Sequence, residues 1–345
     1  MSRSASSLAL CVSPLALALA AAAQSQGPIN LHFDLHVDPL PQVPLPQKRA
    51  VYELRTDNIE WVLDQTEPLG VAIAFLSVGE YGELVIDEGP GGDGSLALQR
   101  LYATGGQIGS HSHREWRVAP FSWPDVPPDP TLDQCRQSWQ DNVDWVNAAV
   151  TFAFGGSPPD DLAAINAVKG AHLPPTEPGY HALMAEFGLE VREPGPEEDY
   201  YGWYDHHIWH PFRPSETNYM GEDLSAPFVQ VTQGSVIGLA QVHHGVFQDM
   251  TAANVKRQLL QLYVNWRWRD RTGQPEKVWC WGWGSHAKDF DPGSASRDAL
   301  LEVLPWLESR FAHRVEPTGS RAMHWSTHQQ TRDDYLAWEA AHQCR

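Results

Sequence analysis

Apolar and polar residues alternate with period two in two separate segments of the chain. In Leu31-His-Phe-Asp-Leu-His-Val-Asp-Pro39 the apolar set is Leu31, Phe33, Leu35 and Val37, and the intervening set is His32, Asp34, His36 and Asp38. Ile108-Gly-Ser-His-Ser-His-Arg-Glu-Trp116 places His111, His113 and Glu115 on one face for as long as it stays extended. Both segments read as strands, and between and after them the period changes to that of helices.

Residues 50–64 have helical spacing through Val51, Leu54, Ile59 and Val62, after a proline-rich loop at 39–46. A buried strand is expected at 71–78, a short helix at 96–103 stopped by Thr104-Gly-Gly106, and the ligand-bearing strand at 107–113. Thr131 and Gln134 form a capping-box pattern ahead of a helix whose apolar face carries Leu132, Cys135, Trp139, Val143 and Val146. Further expected elements are a short strand at 151–154, a helix at 180–187 and a strand at 189–191. Strands at 228–231 and 236–242, a helix from 252 to about 268, a strand at 278–283 and a helix over about 296–311, bent at Pro305, follow. The alternation of strand and helix is that of a parallel α/β sheet or barrel. Residues 193–225 interrupt it with a polar, aromatic and proline-rich insertion, the composition of a functional loop.

Residues 1–23 have the pattern of a signal peptide: Arg3, an apolar stretch from Leu8 to Ala20, and Ala21-Ala22-Ala23 before Gln24. Export, to the periplasm or beyond, is the expectation, and residues 24–345 then form a single domain. No later run has the roughly 20 apolar residues of a membrane span. Of the remaining cysteines, Cys135, Cys280 and Cys344, one pair has the option of a disulfide, and the sequence does not choose it. Acidic residues number 43 against 24 basic, a net charge of −19, which argues against nucleic acid or an anionic membrane as partner. Tryptophan is abundant, at 15 residues. Trp279, Trp281 and Trp283 alternate along one strand, either as a platform for sugar rings or as core.

Seven imidazoles and carboxylates on two strand faces are more than a buried surface tolerates without partners. Imidazole and carboxylate donors suit zinc or a harder first-row ion, and hydrogen-bonded core histidines are the plainer alternative. In a parallel barrel the C-terminal strand ends form the site, and Asp38, His111, Glu115 and His286 fall at three such ends. Metal-assisted hydrolysis is the matching reaction class. Asp34 is then the candidate base and His286 the candidate acid.

The order of these segments resembles the polysaccharide deacetylase family, the NodB-homology domains of carbohydrate esterase family 4, across roughly residues 29–312. The resemblance implies a distorted (β/α) barrel, a divalent metal, zinc first, and removal of acetyl groups from a polysaccharide. Ile108-Gly-Ser-His-Ser112 is similar to the family's histidine motif and implies His111 as a metal ligand. Glu115 then takes the place of the motif's second histidine, with His113 in reserve. The paired aspartates of the first motif are absent; the alignment preferred makes Asp38 the metal ligand, with His36 beside it and Asp34 facing the site. The arginine expected after residue 151 is missing, and Arg213 in Phe212-Arg-Pro214 is its candidate replacement. Ser285-His286-Ala-Lys-Asp289 is similar to the late histidine motif, and a capping histidine reads as well. His36, Arg213 and Trp283 are the candidates for contact with the glycan.

Two rivals stand beside this reading. Phe33-Asp-Leu-His-Val37 resembles the Asp-Leu-His-x-His start of metal-dependent phosphoesterases and amidohydrolases, with Asp38 where the second histidine belongs. A secreted carbohydrate-binding protein without catalytic activity fits the missing acidic pair and arginine. His206, His207, His210, His243 and His244 suit a second metal site, a lid or plain surface residues.

Overall fold

The computed structural model describes residues 26–157, 170–172, 179–192, 209–217, 222–231, 236–237, 248–249 and 251–342; at 170–172, 236–237, 248–249, 283 and 284 it describes the backbone alone. The expected leader, His206, His207, His243, His244, Cys344 and the Trp283 side chain lie outside these bounds.

Among the described residues ten strands form one sheet: β1 (Ile29–Val37), β2 (Ile73–Ser77), β3 (Gln107–His111), β4 (Gly170–His172), β5 (Val191–Arg192), β6 (Val229–Gln230), β7 (Val236–Ile237), β8 (Gln248–Asp249), β9 (Trp279–His286) and β10 (Met323–Trp325). Their order is β6-β5-β4-β3-β2-β1-β9-β7-β8, with β10 beside the start of β1. The pairings between these strands are parallel. The architecture is therefore the expected mixed α/β one, with helices connecting parallel strands; among the described residues no pairing joins β6 to β8.

The helices are α1 (Leu45–Thr66), α2 (Gly79–Glu88), α3 (Asp93–Ala103), α4 (Leu132–Ala153), α5 (Tyr180–Glu186), α6 (Ala252–Thr272), α7 (Ala295–Leu307) and α8 (His328–His342). Both faces of β1 are buried, as in a sheet covered on each side. Ile29, Leu31, Phe33, Leu35 and Val37 join the main apolar core with Ile59 and Val62 of α1 and Leu300 and Val303 of α7. Complete burial of a side chain of this size is worth roughly 1.5–3 kcal/mol. Trp279 and Trp281 belong to the same core, which removes them as sugar platforms.

Several expectations need correction. Residues 151–154 form no strand, because α4 runs on to Ala153 from its intact Thr131–Gln134 capping box. The strand predicted at 107–113 stops at His111, while β9 runs to His286, past the predicted end. Pro305 lies inside α7, which widens into a π-helical turn at Glu308–Ala312. The helix α2 and the final pair β10 and α8 were not expected. No helix among the described residues is long and apolar enough to cross a membrane.

Candidate functional site

Sheet register carries the donors to one level. His36 of β1 pairs with His286 of β9, and Val37 with Ser77 of β2, which is matched by Ser110 beside His111 on β3. The strand ends thus deliver His36, His286, His111 and, just past β1, Asp38 to the same place. Asp38 Oδ1 lies 3.3 Å from His111 Nε2, 3.4 Å from His113 Nε2 and 3.2 Å from His286 Nε2. The Nε2 atoms of His111 and His113 are 2.7 Å apart. The ring of His36 lies 4.7 Å from that of His111 and 5.6 Å from that of His286.

Two overlapping triads, His36/His111/His286 and Asp38/His111/His113, hold donor atoms within 4.8 Å of one another. Imidazole nitrogens and one carboxylate converging at such distances match the donor set of a zinc-type ion, so the residues present fit a divalent metal. His111 is 1% exposed and His113 45%, so the cluster opens on the His113 side.

Charge is arranged unevenly across the cluster. Burial would raise the Asp38 carboxyl, but hydrogen bonds with His111, His113 and His286 hold it far below the usual carboxylate range. Burial, with His286 nearby, lowers His36 to about 3. Burial also pulls His111 well down. His286 behaves oppositely: burial alone would lower it, yet Asp289 and Asp38 raise it to about 9. Its Nδ1 lies 3.2 Å from Asp289 Oδ2, which also accepts its backbone N–H at 2.9 Å. His286 is thus both the cap of the turn Ala287–Phe290 and a member of the cluster.

The loop carrying His113 is held from below by carboxylates of α2. Glu83 accepts from Arg117 at 2.8 and 3.0 Å, from the backbone of Phe121 at 3.0 Å and from Trp123 at 2.7 Å. Lys48 of α1 pairs with Glu80 and donates to the Phe121 carbonyl at 2.9 Å. Glu80 in turn accepts from the Leu40 backbone at 3.0 Å, joining the segment after Asp38 to the loop after His111.

Among the predicted site residues, Asp38, His111, His113 and His286 meet, with His36 as a further donor. Glu115 joins neither triad. Arg114 adopts φ 100°, which ends the alternation that put Glu115 beside the histidines, and the Glu115 carboxylate accepts from the His113 backbone at 2.8 Å. Burial raises it to about 7. Asp34 is fully enclosed, its Oδ1 2.7 Å from Nε2 of His328. Arg213 lies elsewhere, bonded to Glu339 at 2.9 and 3.1 Å and to the Ala226 carbonyl at 2.7 Å. The backbone of Trp283 is in register with Phe33. His210 bonds the Val278 carbonyl at 2.9 Å and packs on Tyr335 and Trp338.

The sequence reading missed the C-terminal contribution. Behind the donors, His32 contacts Thr331 at 2.7 Å and His328 at 4.9 Å between ring centroids, and Ser326 contacts Thr331 at 3.0 Å. The polar face of β1 therefore continues as a column of partnered groups from Asn30, bonded to Asp334 at 3.1 Å, up to Asp38. It also missed Lys288, whose ammonium contacts Asp38 Oδ2. The Thr327-His-Gln-Gln330 capping pattern was the available signal for α8, with Thr327 and Gln330 bonding reciprocally at 2.9 and 3.3 Å.

No family model matches the sequence, and no curated protein matches it significantly. Solved structures do match in shape. One, named as a polysaccharide deacetylase from Mycobacterium smegmatis, superposes with TM-score 0.50 at 14% identity, over 92% of this chain and 96% of that one. Another, named as a glycoside hydrolase/deacetylase from Parabacteroides distasonis, gives TM-score 0.52 at 11% identity, over 92% of this chain and 72% of that one. The chain therefore carries the fold of these deacetylase structures across 92% of its length.

Proposed function

We propose that the chain is a metal-dependent hydrolase that removes acetyl or similar acyl groups from a polysaccharide, and that residues 1–23 direct its export to the periplasm or beyond. The observation that carries this reading is the convergence of His111, His113 and His286 on Asp38 at the C-terminal ends of parallel strands, with His36 beside His111 and His286. Asp38, His111 and His113 are the ligands we assign, and His36 shares donor distance with His111 and His286 in the second triad. A zinc-type ion there supplies a Lewis acid and an acidified water near neutral pH.

The chain's own residues do the rest. Asp289 holds His286 through Nδ1, so that Nε2 faces the cluster, the placement needed by a group that protonates a leaving oxygen or nitrogen. Asp34 has no route to the opening, so its role in this reading is to fix the column behind His36 with His328 instead of activating water. Glu115 supports the His113 backbone from an enclosed position. The test is acetate release from acetylated xylan and acetylated chitin oligomers, with zinc and after chelation. Release that needs the ion and is lost in His286→Gln supports the reading; release unaffected by chelation contradicts it.

A further inference from the structure

The cluster opens beside two cations, in a chain whose net charge is −19. Lys288 follows His286 by two residues, is 32% exposed, and spends one contact on Asp38 Oδ2. Arg55 of α1 is partly exposed and lies one turn before Asn58, which donates to the carbonyl of Ala287, the neighbour of Lys288, at 2.9 Å and to Asp291 at 2.8 Å; the charges acting on Arg55 are Asp38, Asp291 and Asp289. Its guanidinium makes no hydrogen bond or ion pair with any described residue. The three carboxylates are engaged elsewhere: Asp38 with three imidazoles and Lys288, Asp289 with His286 and Ser285, and Asp291 with Asn58 at 2.8 Å. They hold a guanidinium near the mouth electrostatically while leaving its donors unused. A planar fork of donors matches a carboxylate, and a neighbouring ammonium adds a second charge-assisted contact.

We propose that Arg55 and Lys288 read a carboxylate on the substrate, so that the glycan is an acidic one with a uronic-acid residue beside the acyl group to be removed. The inference rests on the hydrolase reading for the location of the acyl group, but the charge preference itself is a binding property. Lys288 supplies the inner contact next to Asp38, and Arg55 supplies the bidentate one farther out. A neutral glycan leaves the Arg55 fork without a partner and Lys288 with Asp38 alone.

The experiment is calorimetric titration of the zinc-loaded full chain with acetylated oligogalacturonate and with its methyl ester, which keeps the backbone and removes the charge. Wild type is expected to bind the acid roughly tenfold more tightly, and Arg55→Gln to bring the two affinities together while melting at the wild-type temperature. If Arg55→Gln melts lower, Arg55→Lys separates the causes: it keeps a charge without the fork and is expected to give an intermediate preference. Equal wild-type affinities, binding of neither form, or an undiminished preference in Arg55→Gln overturns the proposal. Acetate release measured alongside distinguishes the two readings. Equal hydrolysis and binding of acid and ester removes the charge reading and leaves the hydrolase; selective binding without release does the reverse.

Discussion

Asp34 and His328 stand 294 residues apart in the chain and 2.7 Å apart in the fold, both without solvent exposure. The contact ties the C-terminal helix α8 to the strand that supplies His36 and Asp38. An enclosed carboxylate that loses its partner keeps its desolvation cost, so His328→Leu is expected to destabilise by about 3 kcal/mol or more. The Asp34→Asn/His328→Leu double variant is expected to recover part of that loss. Urea unfolding of the four proteins measures the coupling, and strictly additive effects refute it.

Gly282 lies opposite His32 in register, where an added Cβ meets His32 Cβ at 2.7 Å and Asp34 Oδ2 at 3.1 Å. The crowding falls on strand atoms as well as on the Asp34 side chain. Gly282→Ala is expected to cost roughly 1–3 kcal/mol, read from the urea midpoint. An unchanged midpoint would show that the column has slack.

The pair Lys48–Glu80, with side chains 2% and 0% exposed, bonds the segment after Asp38 to the loop after His111. Lys48→Met leaves Glu80 buried without its cation and is expected to destabilise by about 3–5 kcal/mol. Pairing it with Glu80→Gln removes the stranded charge. The double variant is expected to melt at a higher temperature than Lys48→Met, and the opposite order would show that the stranded charge is not the cause.

Acid stability has a separate source. Burial alone would raise Glu316, but hydrogen bonds from Tyr263, Arg314 and Arg271 bring it to about 2, below its ordinary 4.5. A lowered carboxylate stabilises the fold fully above its unfolded value and loses that contribution as pH falls through the folded one. Between pH 4.5 and 2 the stability should therefore drop by on the order of 2 kcal/mol from this group, allowing for solvent screening of its partly exposed arginines. Glu316→Gln should flatten that part of the stability profile, and an unchanged slope rules Glu316 out as its origin.

Strand periodicity made β1, β3 and β9 legible because one face of each carries apolar residues into the helix-covered core while the other carries donors. The same periodicity misled at Glu115, since Arg114 at φ 100° turns the chain and no residue there announces the turn as a glycine would. His113 precedes that turn and keeps its place in the cluster, 3.4 Å from Asp38. Continuous apolar spacing from Val143 to Ala153 hid the true end of α4, and residues 151–154 passed for a strand. His328 was invisible for a different reason: its value lies in a pairing 294 residues distant, and its helix is polar enough to pass for a tail. Arg213 was plausible by sequence as a site residue, but Glu339 of α8 offered it a two-pronged partner away from the cluster.

The proposed hydrolysis requires that Asp38, His111 and His113 hold a metal. Plasma mass spectrometry on the purified full chain, equilibrated with zinc and desalted, tests it against Asp38→Asn and His111→Ala variants that retain the wild-type circular dichroism. About one zinc per wild-type chain is expected, and essentially none in either variant. No retained zinc in the wild type, or the same content in all three proteins, would contradict it.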